Sequence, residues 1–304
     1  MAATTIGQII KQIRQKRGYT AKAMYDHLMS RANYARLEDG EIDTSAENLY
    51  ELTKRLNISM PEWNQVYNEN LGRDTGGKTT VRVNQLLNEG WVNQDPKPLR
   101  EAAQLCYQLF AKYHYPNERL SGLTADALAT YLENGQDKSK ANDFLVQIIA
   151  YLDRIDTWYS NDVGLMFNVL QILDVEMLMK LVTRYLYMVK NNRWLAQGSA
   201  YLPSEPEVIQ QCFWTTIQSQ DFNTFKRLLD YFNAIPMSER YIYPTLMRQM
   251  YRAFAQYAQD HDQKRLDQTI QPVGQVLSES EMPSNHHEFV TQVAALRQWL
   301  IKAE

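Results

Sequence analysis

From residue 80 onward the apolar residues of this chain recur every three or four positions, and no segment sustains the apolar–polar alternation of a half-buried strand. Leu99, Ala102, Ala103, Cys106 and Phe110 form one stripe, Leu145, Ile148, Ile149, Leu152 and Ile155 a second, and Val175, Leu178, Val182, Tyr185 and Val189 a third. Three more follow, at Phe225–Phe232, Leu246–Tyr257 and Phe289–Leu300. Between Pro116 and Pro203 there is no proline, the residue that removes a helical hydrogen bond and clashes with the preceding turn. The chain is expected to be all-α. Breaks at Asn134–Gly135, Tyr159–Asn161, Asn191–Pro203, Pro236 and Pro283 divide the helices into pairs of roughly 30–40 residues, the length of a helix–turn–helix repeat. The tetratricopeptide consensus is met in no unit, so degenerate repeats and a large irregular bundle both fit the spacing. Helix length and short loops favour the solenoid.

Punctuation sets the expected organisation. Residues 1–70 hold short periodic segments and one proline, Pro61; residues 71–79 (LGRDTGGKT) hold three glycines and read as a linker; residues 80–304 form the long-helix domain. Hydrophobic residues at 44% and charged residues at 22% suit a chain that buries a core rather than a disordered one. The balance of 32 Lys+Arg against 35 Asp+Glu leaves −3, so any nucleic-acid surface must be local. Cys106 and Cys212 can neither build a disulfide framework nor hold zinc by themselves. Both lie in apolar stripes without a neighbouring His, and are expected to be inert core residues. With no secretory pattern and no long apolar run, the expectation is a soluble, cytoplasmic protein with no membrane partner.

Neither a catalytic site nor a cofactor or metal is expected. His286-His287-Glu288 lacks the spacing that places two imidazoles on one helical face. Gly72–Thr79 matches the phosphate-loop pattern literally, but that loop needs a strand before it. Here a polar, capped helix precedes it, so the match reads as accidental and the segment as a hinge.

The N-terminal region reads as five short helices: roughly Thr5–Lys16, Ala21–Leu28 capped by Thr20, Arg31–Glu38 capped by Ser30, Ser45–Leu56 with a Thr44/Glu47 capping box, and a fifth opened by Ser59, Pro61 and Glu62. Charge here is sorted. Residues 11–36 carry seven bases against Asp26, while residues 38–51 carry six acids and no base. A uniformly solvated surface mixes its signs, so the first half is read as facing a polyanion. Two short helices joined by a tight turn can lay the second in a DNA major groove. There Arg pairs with guanine and Asn with adenine, while other bases and a tyrosine hydroxyl hold phosphates. The candidate DNA contacts are Arg14, Arg17, Lys22, Arg31, Asn33, Tyr34 and Arg36.

With IGQIIKQIRQKRGYT ahead of SRANYARLEDGEIDTSAENLYELTKRLNIS, this region resembles the XRE-type helix-turn-helix of Rgg regulators, members of the RRNPP group of peptide-responsive transcription factors. Arg36-x-Glu38-x-Gly40 stands where that domain closes its recognition helix, and YLDRIDTWYSNDVGLMFNVLQIL resembles the Rgg C-terminal domain. The sequence departs from the family at Ala21, where Gln is usual, and at Tyr25, where a small residue is usual. The resemblance implies a TPR-like right-handed α-solenoid whose concave face binds a short signalling peptide, as in quorum sensing. It also implies a homodimer, which the helices after about residue 240 are expected to hold, acting on promoter DNA.

A peptide's backbone groups call for carboxamides, its terminal carboxylate for arginine, and its side chains for aromatic surface. The candidate peptide contacts are Arg154, Trp158, Asn168, Arg184, Tyr187, Trp214, Arg248 and Tyr251. Asn168 is favoured because an amide within LMFNVLQIL needs a partner if it is buried. The alternative is a helical-repeat interaction module that reads no specific DNA.

Overall fold

The computed structural model describes residues 4–71, 77–191 and 203–301. Every regular element among them is helical. In order these are α1 Ile6–Lys16, α2 Ala21–Tyr25, α3 Arg31–Glu38, α4 Ala46–Arg55, α5 Met60–Leu71, α6 Gly77–Val92, α7 Pro96–Tyr113 and α8 Pro116–Glu133. Then come α9 Asn142–Arg154, α10 Ser160–Val169, α11 Val175–Asn191, α12 Glu205–Ser219, α13 Phe222–Ala234, α14 Ile242–Asp260, α15 Gln263–Glu279 and α16 Pro283–Leu300. Short 3-10 turns cover Lys138–Ala141 and Leu170–Ile172. The chain divides between Arg82 and Val83 into two compact units. Most of the 71–79 stretch lies outside the described residues, including Gly72–Gly76 of the phosphate-loop match; Gly77 to Thr79 lie in the first turn of α6.

In the N-terminal unit the caps decide the helix starts. The Gln8 amide donates to Thr5 Oγ1 at 3.3 Å and the Thr5 amide donates to Gln8 Oε1 at 3.0 Å, a reciprocal box that satisfies two otherwise orphaned donors. Ser30 caps α3, whose bounds are those expected. Two expectations need correction. α2 stops at Tyr25 rather than Leu28, because Arg55 Nη1 takes the carbonyls of Met24 (2.9 Å) and Asp26 (2.7 Å) while His27 turns to φ 58°. α4 is capped by Ser45, which accepts from the Asn48 amide at 3.1 Å; the Thr44 hydroxyl is buried without a partner among the described residues.

Ile9, Ile10, Met24, Tyr34, Leu37, Leu52, Leu56 and Trp63 make this unit's core. Each large apolar side chain removed from water contributes about 1.5–3 kcal/mol. α1 crosses α3 at Gly7, where a Cβ would stand 1.7 Å from the Leu37 carbonyl oxygen. Only glycine permits that approach.

In the second unit consecutive helices pack on one another along the chain, α7 on α8, α8 on α9, and α11 through α16 in turn. α12, α14 and α16 also touch each other and form an inner row. α12 is buried through Val208, Ile209, Cys212, Phe213, Thr215, Thr216 and Ile217, as suits a helix covered on several sides. α7 and α14 each end on a histidine in the left-handed conformation, His114 (φ 57°) and His261 (φ 55°). Each imidazole packs edge-on against the aromatic ring four residues back, Phe110 and Tyr257.

Candidate functional site

α3 is anchored by Tyr34 and Leu37, each 1% exposed. Helical spacing then leaves Arg31, Asn33 and Arg36 exposed on its outer side. The Arg31 and Asn33 side chains have no protein partner among the described residues. Arg36 Nε donates to Glu41 Oε2 at 3.2 Å, with both side chains more than half exposed; a surface pair of this kind holds the guanidinium only weakly. Arg17, just past α1, and Lys22, in α2, are exposed as well.

Two candidate DNA contacts are corrected. Arg14 faces inward: Nε and Nη2 donate to Glu38 Oε1 (2.6 Å) and Oε2 (2.8 Å), and Nη1 to the Tyr19 carbonyl (2.9 Å). The two side chains are 13% and 7% exposed, and the Glu38 hydrogen bonds raise the arginine's pKa. This fork ties α1 to α3 and to the turn after α1. Tyr34 is core, its ring 5.8 Å from that of Tyr25. Its hydroxyl is buried beside Arg14 and Glu38 without a geometric hydrogen-bond partner among the described residues, and burial raises the phenol's pKa. The aromatic at position 25 therefore packs on the aromatic at position 34.

In the second unit a cavity of about 360 Å³ opens between four segments, a volume at the lower end of the roughly 300–1,000 Å³ of ligand sites. α6 contributes Asn84, Leu87, Asn88 and Trp91, and α8 contributes Leu128. Phe167, Asn168 and Gln171 come from α10 and the 3-10 turn after it, and Gln211 from α12. Leu128 is buried, Leu87, Trp91 and Phe167 are half-buried, and Asn84, Asn88 and Asn168 are exposed. The apolar side chains thus lie deeper than the asparagines. Trp91 stacks on Tyr131 at 6.2 Å, and Gln171 Nε2 donates to Gln211 Oε1. Among the described residues, no lining side chain is ionisable.

Residues 108–289 match the family "HTH-type transcriptional regulator Rgg, C-terminal domain", and residues 10–63 match the helix-turn-helix family. The chain belongs to the Rgg family of transcriptional regulators. Its place there makes it a regulator and not an enzyme. No curated protein matches it in sequence. Among solved structures, a protein of Listeria monocytogenes EGD-e assigned as a transcriptional regulator has 13% identity and a TM-score of 0.72, over 96% of this chain and 97% of that one. The Streptococcus dysgalactiae SHP pheromone receptor Rgg2 has 14% identity and a TM-score of 0.64, over 94% and 99%. PrgX in complex with cCF10 has 14% identity and a TM-score of 0.59, over 97% and 92%. At such identities the likeness is one of fold.

Of the peptide contacts expected in this Rgg chain, Asn168 alone lines the cavity, and as an exposed amide rather than a buried one. Arg154 and Tyr187 are exposed and Trp214 is half-buried, all three off the cavity lining. Four others are engaged within the fold. Trp158 lies between α9 and α10 rather than within a helix, fully buried, with Nε1 donating to the Leu152 carbonyl at 3.1 Å. Arg184 donates to the carbonyls of Leu152 (Nη1, 2.7 Å) and Ile155. Arg248 Nη1 donates to those of Phe232 and Ile235, both at 3.0 Å. Tyr251 is fully buried, stacked on Phe213 at 3.8 Å, with its hydroxyl donating to Gln292 Oε1 at 2.7 Å. The sequence reading missed the α6 wall. Its signal was Asn84-x-x-Leu87-Asn88-x-x-Trp91, an i, i+3, i+4, i+7 face that mixes amides with apolar groups.

Proposed function

We propose that this chain is a transcriptional regulator that reads operator DNA through α3 and is controlled by a short signalling peptide held by the helical unit. Residues 1–70 read DNA; residues 80–304 bind the peptide and form a homodimer; residues 71–79 join them. The observation that carries the DNA half is the exposed Arg31, Asn33 and Arg36 face of a helix anchored by Tyr34 and Leu37. Such a face offers bidentate donors to base edges. The peptide half is supported by the cavity and by the fold shared with PrgX bound to cCF10 and with the SHP pheromone receptor Rgg2. The dimer is assigned to the helices after residue 240, where Ile242, Val276 and Val290 are 60%, 50% and 49% exposed. No helix among the described residues is long and apolar enough to cross a membrane, and an operator reader works in the cytoplasm. Peptide binding shifts the dimer between states that differ in operator affinity, by no more than the peptide's own preference between them.

The test is fluorescence anisotropy on a duplex pool enriched by selection, at two salt concentrations, with and without medium conditioned by the source organism. Selected, salt-dependent binding that shifts with the medium is the expected result. Selected binding indifferent to the medium removes the peptide half. Absent or salt-independent binding removes the DNA half and leaves the helical unit as an interaction module.

A further inference from the structure

We propose that Arg55, on α4, is a positioning residue for operator reading: acting through the α2–α3 turn rather than on the DNA, it fixes the angle at which α3 presents Arg31 and Asn33. This inference rests on the reading of α3 as the operator-reading helix and names what sets that helix's alignment.

A helix laid in the major groove meets base edges with the residues near its N-terminus. In α3 those are Arg31 and Asn33, so the turn before it, residues 26–30, decides where they point. That turn satisfies part of its own backbone. The Asp26 amide donates to the Lys22 carbonyl at 3.0 Å, and the Leu28 and Met29 amides donate to the Tyr25 carbonyl at 2.9 and 3.0 Å. The carbonyls of Met24 and Asp26, on either side, are taken by one nitrogen from outside the turn. Arg55 Nη1 donates to both, at 2.9 and 2.7 Å. Two peptide planes are thereby fixed just before His27 enters the left-handed region at φ 58°, where a residue other than glycine needs its surroundings to hold it.

Between those two carbonyls stands Tyr25, whose ring lies 5.8 Å from that of Tyr34, one of the buried residues that seat α3. Shifting the backbone at 24–26 therefore shifts the ring on which the first half of α3 rests. The far end of α3 is held independently, by Gly7 against Leu37 and by the Arg14–Glu38 pair. Loosening the turn then swings the reading end of the helix about a fixed far end. Base-edge hydrogen bonds depend on that alignment, whereas phosphate contacts carry no sequence information and survive its loss.

The test is fluorescence anisotropy on the full-length protein with the selected duplex and with a random-sequence duplex, each over a range of salt concentrations. Arg55→Met is expected to lower the ratio of selected to random affinity about tenfold, with the salt dependence on random duplex unchanged. Arg55→Lys keeps the charge and still reaches one carbonyl, so it should lose only about threefold. Tyr25→Leu should give the same signature as Arg55→Met. Because the two residues act on one path, the double variant should lose no more than about twofold beyond the larger single loss. Thermal midpoints check that each variant keeps its fold.

An unchanged ratio in folded Arg55→Met protein overturns the proposal. So does a salt slope on random duplex smaller by about one, which would make Arg55 a phosphate contact. So do losses that multiply in the double variant. Should Arg55→Met not fold, Arg55→Lys and Tyr25→Leu decide, and an unchanged ratio in either overturns the proposal. The parent reading fails separately, if the unmodified protein selects no duplex.

Discussion

Arg184 and Arg248 do the same work at two places in the helical unit. Each aims its guanidinium at two carbonyls three residues apart, Leu152 and Ile155 at the end of α9, Phe232 and Ile235 at the end of α13. Each also lies over an aromatic ring, Trp158 at 5.1 Å and Phe232 at 5.7 Å. The last carbonyls of a helix have no partners within it and carry the negative end of its dipole, so a guanidinium satisfies both needs together. Neighbouring helices are thereby fastened end to side.

Replacing Arg184 or Arg248 by Met is therefore expected to lower stability by about 1.5–3 kcal/mol, the usual worth of a hydrogen bond to a charged group. Denaturant unfolding measures it. Peptide retention should fall only as far as the folded fraction does; a variant of full stability that no longer holds peptide would return the arginine to the ligand site.

Arg14 and Arg31 should separate in the same way within the N-terminal unit. Arg14→Met leaves the Glu38 carboxylate, 7% exposed, without its counter-charge, and breaking such a pair costs about 3–5 kcal/mol. Arg31→Ala should leave the thermal midpoint unchanged and abolish selected operator binding. If Arg31→Ala binds the operator like the parent, α3 is not the reading helix.

Lys138 gives a pH signature. Its ammonium donates to the Leu173 carbonyl at 2.9 Å, and burial lowers its pKa from 10.5 to about 8, against the pull of Asp174. Between those two values the unfolded chain holds a proton that the folded chain has released. Stability contributed by this group therefore rises as pH increases through the window. Measured against Lys138→Met, the protein should gain stability between about pH 7.5 and 10; a constant difference would show that the amine is not desolvated.

Cys106 and Cys212 are both fully buried. Burial pushes the Cys106 thiol up to about 12 and raises that of Cys212 further, while Cys212 Sγ donates to the Val208 carbonyl at 3.0 Å. Since the thiolate is the reactive form, neither should alkylate in the native protein at pH 8, and both should once it is unfolded. Mass spectrometry after iodoacetamide distinguishes the two states.

The sequence alone determined what depends on near neighbours in the chain. The helices follow from three-to-four spacing, and the starts of α1, α3 and α5 from Thr5, Ser30 and Ser59, because a cap bonds within three residues of itself. The exposed Arg31 and Asn33 were legible for the same reason. What lies across a helix was not. Periodicity puts Trp158, Arg184, Arg248 and Tyr251 near apolar stripes without saying which other segment covers them, so four aromatic or basic side chains that looked suited to a peptide proved to hold the fold. Arg14 likewise reads as one more base in a basic run until Glu38, 24 residues on, takes its guanidinium. The cavity draws on α6, α8, the α10 region and α12, and no local rule brings those four together. Only long-range packing does, because the free energy that places one helix against another comes from surfaces far apart in sequence.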